Sequence, residues 1–186
     1  MEFFPAIGIG WLNGWLLLAL LVLTDATSFR LFPKGVVQRL FDRSGWSRKQ
    51  VVFTVVGKLV ASVSLVLIIL TPLKIGHPVF TAGAVISALG LIGLVWSLVD
   101  FRNTPPDQPV TRGLYRVSRH PQIVSSFVVL VGACVAIGSW SALAILLVSH
   151  FFSHWGILGE EQVCAERYGD AYRAYLSRVP RYFVLF

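Results

Sequence analysis

Residues 123–138 read IVSSFVVLVGACVAIG, residues 139–141 read SWS, and residues 142–158 read ALAILLVSHFFSHWGIL. The two flanking runs are almost wholly apolar. Each comes close to the roughly 20 residues that a helix needs to span a bilayer. So short a connection forces successive helices to lie antiparallel and adjacent. The hairpin therefore carries Arg119-His120-Pro121, just before the first run, back beside Glu160-Glu161, just after the second. Two charged clusters, about 40 residues apart in the chain, are expected to meet at one membrane surface.

Three further apolar runs lie upstream. They are predicted as spans over Ile7 to Thr24, Val51 to Thr71 and Val79 to Val99. With the hairpin they make five, which fits a chain of 186 residues that is 55% apolar and 13% charged. A soluble domain usually carries about 25% charge. The expected fold is all-α: a polytopic transmembrane bundle of about five spans, with an amphipathic cytosolic helix at the C-terminus. It forms one membrane domain over 1–186. Residues 1–99 hold the first three spans, and 100–186 hold a loop, the hairpin and the tail. The N-terminus lacks the basic start and small-residue cleavage site of a signal peptide.

The basic residues test the span count. Of 16 Lys and Arg, six follow the first run, four lie between Asp100 and Pro121, and four lie in the tail. With five spans all three segments share a side. The positive-inside rule then puts the N-terminus outside and the C-terminus in the cytosol. The compact length suggests a prokaryotic cell membrane. The net charge of +7 does not imply nucleic acid, because the cations alternate with apolar spans and face lipid headgroups instead. Two cysteines, Cys134 and Cys164, provide no disulfide framework. Gly83, Gly90 and Gly93 read as close-packing positions between helices.

Three polar groups stand out. The first is Gly113-Leu-Tyr115-Arg116-Val-Ser-Arg119-His120-Pro121, with Pro121 suited to a first helical turn. On composition alone it reads equally well as a basic loop on lipid phosphate. The second is Glu160-Glu161, of which one at most is expected to face the hairpin partner. The third is His150 and His154, four apart on one helical face and in line with Glu161. Four histidines in the whole chain make a metal site a poor explanation, and no metal is expected. Lining a polar cavity fits better, because ionisable groups in membranes usually face a bundle interior. Tyr168, Tyr172 and Tyr175 recur at helical spacing, as an interfacial helix or a lid.

Together these motifs resemble the isoprenylcysteine carboxyl methyltransferase and phospholipid methyltransferase superfamily. The superfamily pattern runs G-x-Y-R-x-x-R-H-P, a helical hairpin, E-E, an aromatic-G-x-x-Y-x-x-Y helix and R-V-P-R. Here those are Gly113 to Pro121, Glu160-Glu161, Tyr168 to Tyr175 and Arg178 to Arg181. The resemblance implies an S-adenosylmethionine site on the cytosolic side, holding the methyl donor and, after transfer, S-adenosylhomocysteine. Gln108, Pro109, Val110, Tyr115, His120, Pro121 and Glu160 would contact the donor. Arg116 and Arg119 would shape the pocket and neutralise the donor's carboxylate. His154 or Glu161 would serve as base for an amine or thiol acceptor. The implied partners are membrane lipids and an amphiphilic or lipidated substrate.

Two positions depart from the pattern. Ile123 stands where the family usually has Tyr. Ser153-His154-Trp155-Gly156 stands where isoprenylcysteine enzymes tend to have Arg, which argues against a prenylcysteine carboxylate. A non-catalytic membrane binding or assembly protein on the same fold is the alternative. An NADPH-dependent reductase of the sterol-reductase kind ranks third, since those chains are much longer.

Overall fold

The computed structural model describes residues 1–183. Within them the chain forms α1 (Trp15–Leu31), α2 (Lys34–Leu40), α3 (Arg48–Leu70), α4 (Pro78–Arg102), α5 (Pro121–Ala136), α6 (Trp140–Tyr168) and α7 (Asp170–Leu176). A single 3₁₀ turn, Gly113–Arg116, interrupts the long α4–α5 loop. Helices α3, α4 and α6 are long and apolar enough to cross a membrane. Helix α5 is apolar but has 16 residues, and α1 has 17. At about 1.5 Å per residue they reach roughly 24–26 Å, slightly short of a hydrocarbon core about 30 Å thick. The expected all-helical membrane bundle is what the chain forms.

Three boundaries differ markedly from those read in the sequence, and one of them is the end of the first helix, which lies at Leu31 and not at Thr24. The first helix starts at Trp15, not Ile7, because the preceding backbone pairs with the end of α3. Gly8 N–H donates to Leu70 O and Gly14 N–H to Thr71 O, at 2.8 and 3.0 Å. The Asn13 amide donates to Gly8 O and Ile69 O. These bonds satisfy groups that a helix would otherwise pair internally. At the other end, α6 does not stop near Leu158 but runs on unbroken to Tyr168. Nothing in Glu160-Glu161-Gln162-Val163-Cys164-Ala165-Glu166-Arg167 disfavours helix. The break comes at Gly169, whose φ of +56° suits glycine.

The hairpin also packs differently from the simplest reading. Gly138, at φ +70°, turns the chain, and Ser139 caps α6 by accepting from Ala142 N–H at 3.1 Å. Beyond that turn, α5 packs chiefly along α4 and α6 chiefly along α3, while α5 and α6 diverge. Small residues explain the two tight pairs. Gly83 lies against the backbone of Gly132 and Ala136, and Gly90 against that of Val129. Ser87 Oγ donates across the same interface to Val129 O at 3.0 Å. In the other pair, Gly57 meets the Ser149 and Ser153 backbone, and Ser64 Oγ donates to Ala142 O at 2.8 Å. Leu18, Ile68, Ala133, Ile137, Ala142 and Leu146 form a dry cluster around the turn.

The charges segregate by end. The α5–α6 turn meets the N-terminus, where Glu2 pairs with Lys74 at 2.8 Å and its N–H donates to Gly138 O. The α1–α3 segment, the α4–α5 loop and the tail gather at the opposite, basic end.

A side chain at Gly132 has no room, since a Cβ there would sit 2.5 Å from Ser87 N. Gly132→Leu should therefore lower the thermal unfolding midpoint of the detergent-solubilised protein, by an overpacking cost of about 1–3 kcal/mol or more. Gly35→Ala, with nothing within 4 Å of the added carbon, should change stability far less.

Candidate active site

The divergence of α5 from α6 leaves a cavity of about 480 Å³, closed at the far end by the dry cluster. Its deeper wall is mainly apolar, with Leu94, Leu98, Phe127, Leu130 and Leu146. Asp25, Ser126, Ser149, His150 and Ser153 add polar groups to the lining, and Gln122 joins it at the start of α5, beside His120. At the basic end it is lined by Pro109, Val110, Tyr115, Arg119, His120 and Glu160, then by Cys164, Tyr168, Tyr172 and Tyr175. Segment 39–43 of the α1–α3 connection contributes the remaining side.

Five titratable side chains close the basic end. Pro121 starts α5, and His120 stands immediately before it. His120 Nδ1 lies 3.4 Å from Glu160 Oε2, and Nε2 lies 3.3 Å from Glu161 Oε1. Both glutamates thus reach one imidazole, whereas the sequence led us to expect one at most to face this way. Helical residues about 100° apart can share a partner that sits between them and offers two nitrogens. Glu161 is the buried member. Arg181 grips it with two donors, Nε to Oε1 at 3.0 Å and Nη2 to Oε2 at 2.7 Å. Arg119 Nε approaches Glu161 Oε1 at 3.3 Å without hydrogen-bond alignment. Glu160, with 41% of its side chain exposed, is left turned to the cavity.

The tail is tied to the pre-α5 loop by backbone and hydroxyl bonds. Arg119 N–H donates to Pro180 O at 3.0 Å, and Ser118 Oγ to Arg181 O at 3.0 Å. Tyr175 Oη donates to Tyr115 O at 2.7 Å. Tyr172 and Tyr175 point inward from α7 while Asp170 and Arg173 face out, so the short helix is amphipathic and walls the cavity. Burial pushes the Tyr115 phenol well above its ordinary value and keeps it protonated. Two further polar atoms lack a hydrogen-bond partner among the described residues. Gln122 Nε2 is buried and belongs to a cavity-lining side chain, and Asp100 Oδ2 is buried beside Gly113.

A family model for phospholipid methyltransferase matches residues 66–171, more than half of the chain. The chain belongs to this family. No curated protein and no solved structure matches it significantly. The phospholipid methyltransferase match covers the hairpin and both charged clusters, and it stops before Tyr172 and Arg181.

The candidate residues from the sequence divide into two sets. Pro109, Val110, Tyr115, Arg119, His120 and Glu160 line the cavity together. Gln108 and Arg116 are exposed and lie off its lining, Pro121 is buried behind it, and Glu161 holds the cluster from the rear. His154 lies off the lining too, with its Nδ1 2.9 Å from Tyr182 Oη. The other member of that pair, His150, lines the cavity and stacks on Phe127 at 4.3 Å between centroids. Asp25, Arg39, Asp42 and Gln122 were missed. No sequence signal linked the first three to the distant parts of the chain that they meet, and Gln122 carries no motif.

Burial by itself would push the His120 imidazole down, but the carboxylates of Glu160 and Glu161 outweigh it and hold its pKa above the ordinary value. The folded state therefore binds this proton more tightly than the unfolded chain. The resulting stability is fully present below the unfolded histidine range of about 6.5 and is lost as pH rises through the elevated folded-state value. Thermal midpoints in detergent between about pH 6 and 9 should show that decline in the native protein, and His120→Gln should flatten it.

Proposed function

We propose that the protein transfers a methyl group from S-adenosylmethionine to an amphiphilic acceptor, with the donor bound at the basic end of the cavity and the acceptor's apolar part in its depth. The carrying observation is the lining of that end: a half-exposed carboxylate, an arginine and an orphaned buried amide around one space in a methyltransferase-family chain. The volume lies within the range of about 300–1,000 Å³ typical of small-molecule sites. The donor has an ammonium, a carboxylate, ribose hydroxyls and an adenine ring, and the residues present fit each of them. Glu160 would accept from the ammonium or a ribose hydroxyl. Arg119 would face the carboxylate. The unpaired Gln122 amide would gain a partner, and Tyr115, Tyr172 and Val110 would wall the ring.

When bound, the donor supplies a sulfonium-activated methyl group. The protein's own contribution is to orient two reactants and keep water out, which is where proximity and a dry site act. Glu161 and Arg181 act one layer back by fixing Arg119 and His120. For an amine, thiol or hydroxyl acceptor, His150 is better placed than His154 to take the proton. It lines the cavity, whereas His154 is committed to Tyr182. The leucines and Phe127 would take an acyl or isoprenoid chain. The segregation of 14 of the 16 Lys and Arg to one end favours a cytosolic face for the donor site.

Calorimetric titration of the purified protein with S-adenosylhomocysteine tests the donor site. Native protein should bind. Glu160→Gln should weaken binding about tenfold or more, corresponding to loss of one charge-assisted hydrogen bond of about 1.5–3 kcal/mol. Absence of binding to the native protein would instead favour a non-catalytic module on this fold.

A further inference from the structure

Arg39 occupies an unusual position. It lies near the end of α2, outside the part of the chain matched to the family, and it lines the cavity. Among the described residues it forms no ion pair. Its guanidinium is spent on backbone carbonyls of the α4–α5 loop instead. Nη1 donates to Thr104 O at 3.3 Å and to Pro105 O at 3.2 Å, and Nη2 donates to Gln108 O at 2.9 Å. The same group lies over the Phe101 ring at 4.7 Å and the Tyr168 ring at 5.6 Å. Tyr168 Oη reaches the loop as well, donating to Pro106 O at 3.3 Å.

Apart from Tyr168, the loop's other bonds are local: Thr104 Oγ1 donates to Asp100 O at 2.8 Å and Gln108 N–H to Pro105 O at 3.2 Å. Pro105, Pro106 and Pro109 carry no N–H, so the segment can form only isolated turns and not the repeated bonds of a helix or a strand. Yet it presents Pro109 and Val110 to the basic end of the cavity. A planar fork with several fixed donors suits a cluster of carbonyls that a lysine, as a point charge, cannot match. The α2 segment is itself anchored. Asp42 pairs with Arg167 of α6, and the Trp46 ring fills the space left by Gly159.

We propose that Arg39 is a positioning residue for the donor site: it clamps the 104–108 loop between α4 and α6, holds Pro109-Val110 in the cavity wall, and so sets affinity for the methyl donor. The inference rests on the function proposed above. It extends the site to a part of the chain that the family match does not include.

The test combines hydrogen exchange with binding, on the full-length protein in detergent. In Arg39→Ala, amide exchange should accelerate within residues 103–112 while α3 and α4 stay protected, and the Kd for S-adenosylhomocysteine should rise at least tenfold. Arg39→Lys keeps the charge and lacks the fork, so it should not restore affinity. Tyr168→Phe, a milder loosening of the same loop, should move both readouts in the same direction by less. Unchanged exchange in Arg39→Ala would overturn the clamp. Recovery of native affinity in Arg39→Lys would overturn positioning in favour of direct charge recognition. Failure of the native protein to bind S-adenosylhomocysteine would remove the donor reading, and loop exchange would still decide whether Arg39 holds the loop.

Discussion

A carboxylate withdrawn from water has to be compensated or it will not stay charged. Glu161 is that group, with 9% of its side chain exposed at the basic end of a membrane bundle. Its compensation comes from Arg119 and His120, just before α5, and from Arg181 in the tail. Removing one partner of such a cluster leaves unpaired charge in a poorly solvated place, a cost of about 3–5 kcal/mol in other proteins. The cluster therefore does more than join two side chains. It fastens the tail across the entrance to α5 and fixes where α6 stands relative to α5. It also leaves the neighbouring Glu160 free to face the cavity.

The cavity follows from a conflict between two packing preferences. Small residues draw α5 against α4 and α6 against α3, while the Gly138 turn keeps α5 and α6 joined. Two helices tied at the turn, tied again by the charged cluster and drawn apart between must leave a gap. Helix α1, the α2 segment and α7 wall its remaining sides. The result is a space with charged groups at one end and leucines and Phe127 toward the other. That polarity is what the proposed transfer from a water-soluble donor to a membrane-borne acceptor would need. The family match includes the part of the lining that runs from Leu94 to Tyr168.

The two histidines on α6 show how little separates a cavity residue from a packing residue. His150 and His154 are four apart and share a helical face, so periodicity treats them alike. Tyr182 distinguishes them, because its hydroxyl engages His154 and leaves His150 against Phe127. The same holds for the glutamates. Adjacent in sequence, they differ in that one is gripped by Arg181 and the other is not. In each case the deciding partner comes from the tail, some 20 to 30 residues away, and no local pattern encodes which residue it selects.

The amino-acid sequence by itself determined the helical membrane class, the segregation of basic residues to one end and the meeting of the His120 and Glu160 clusters. Apolar run length, charge sidedness and a connection too short for any other geometry are local properties, readable one segment at a time. Tertiary structure decided where α1 begins, because its preceding residues pair with the end of α3 rather than with themselves. It decided that the hairpin splays instead of closing, because each arm has a better-fitting neighbour elsewhere. It also recruited Asp25, Arg39 and Gln122 to the cavity. Those assignments depend on which helix lies beside which, and that is settled by small-residue contacts and buried ion pairs distributed over the whole chain.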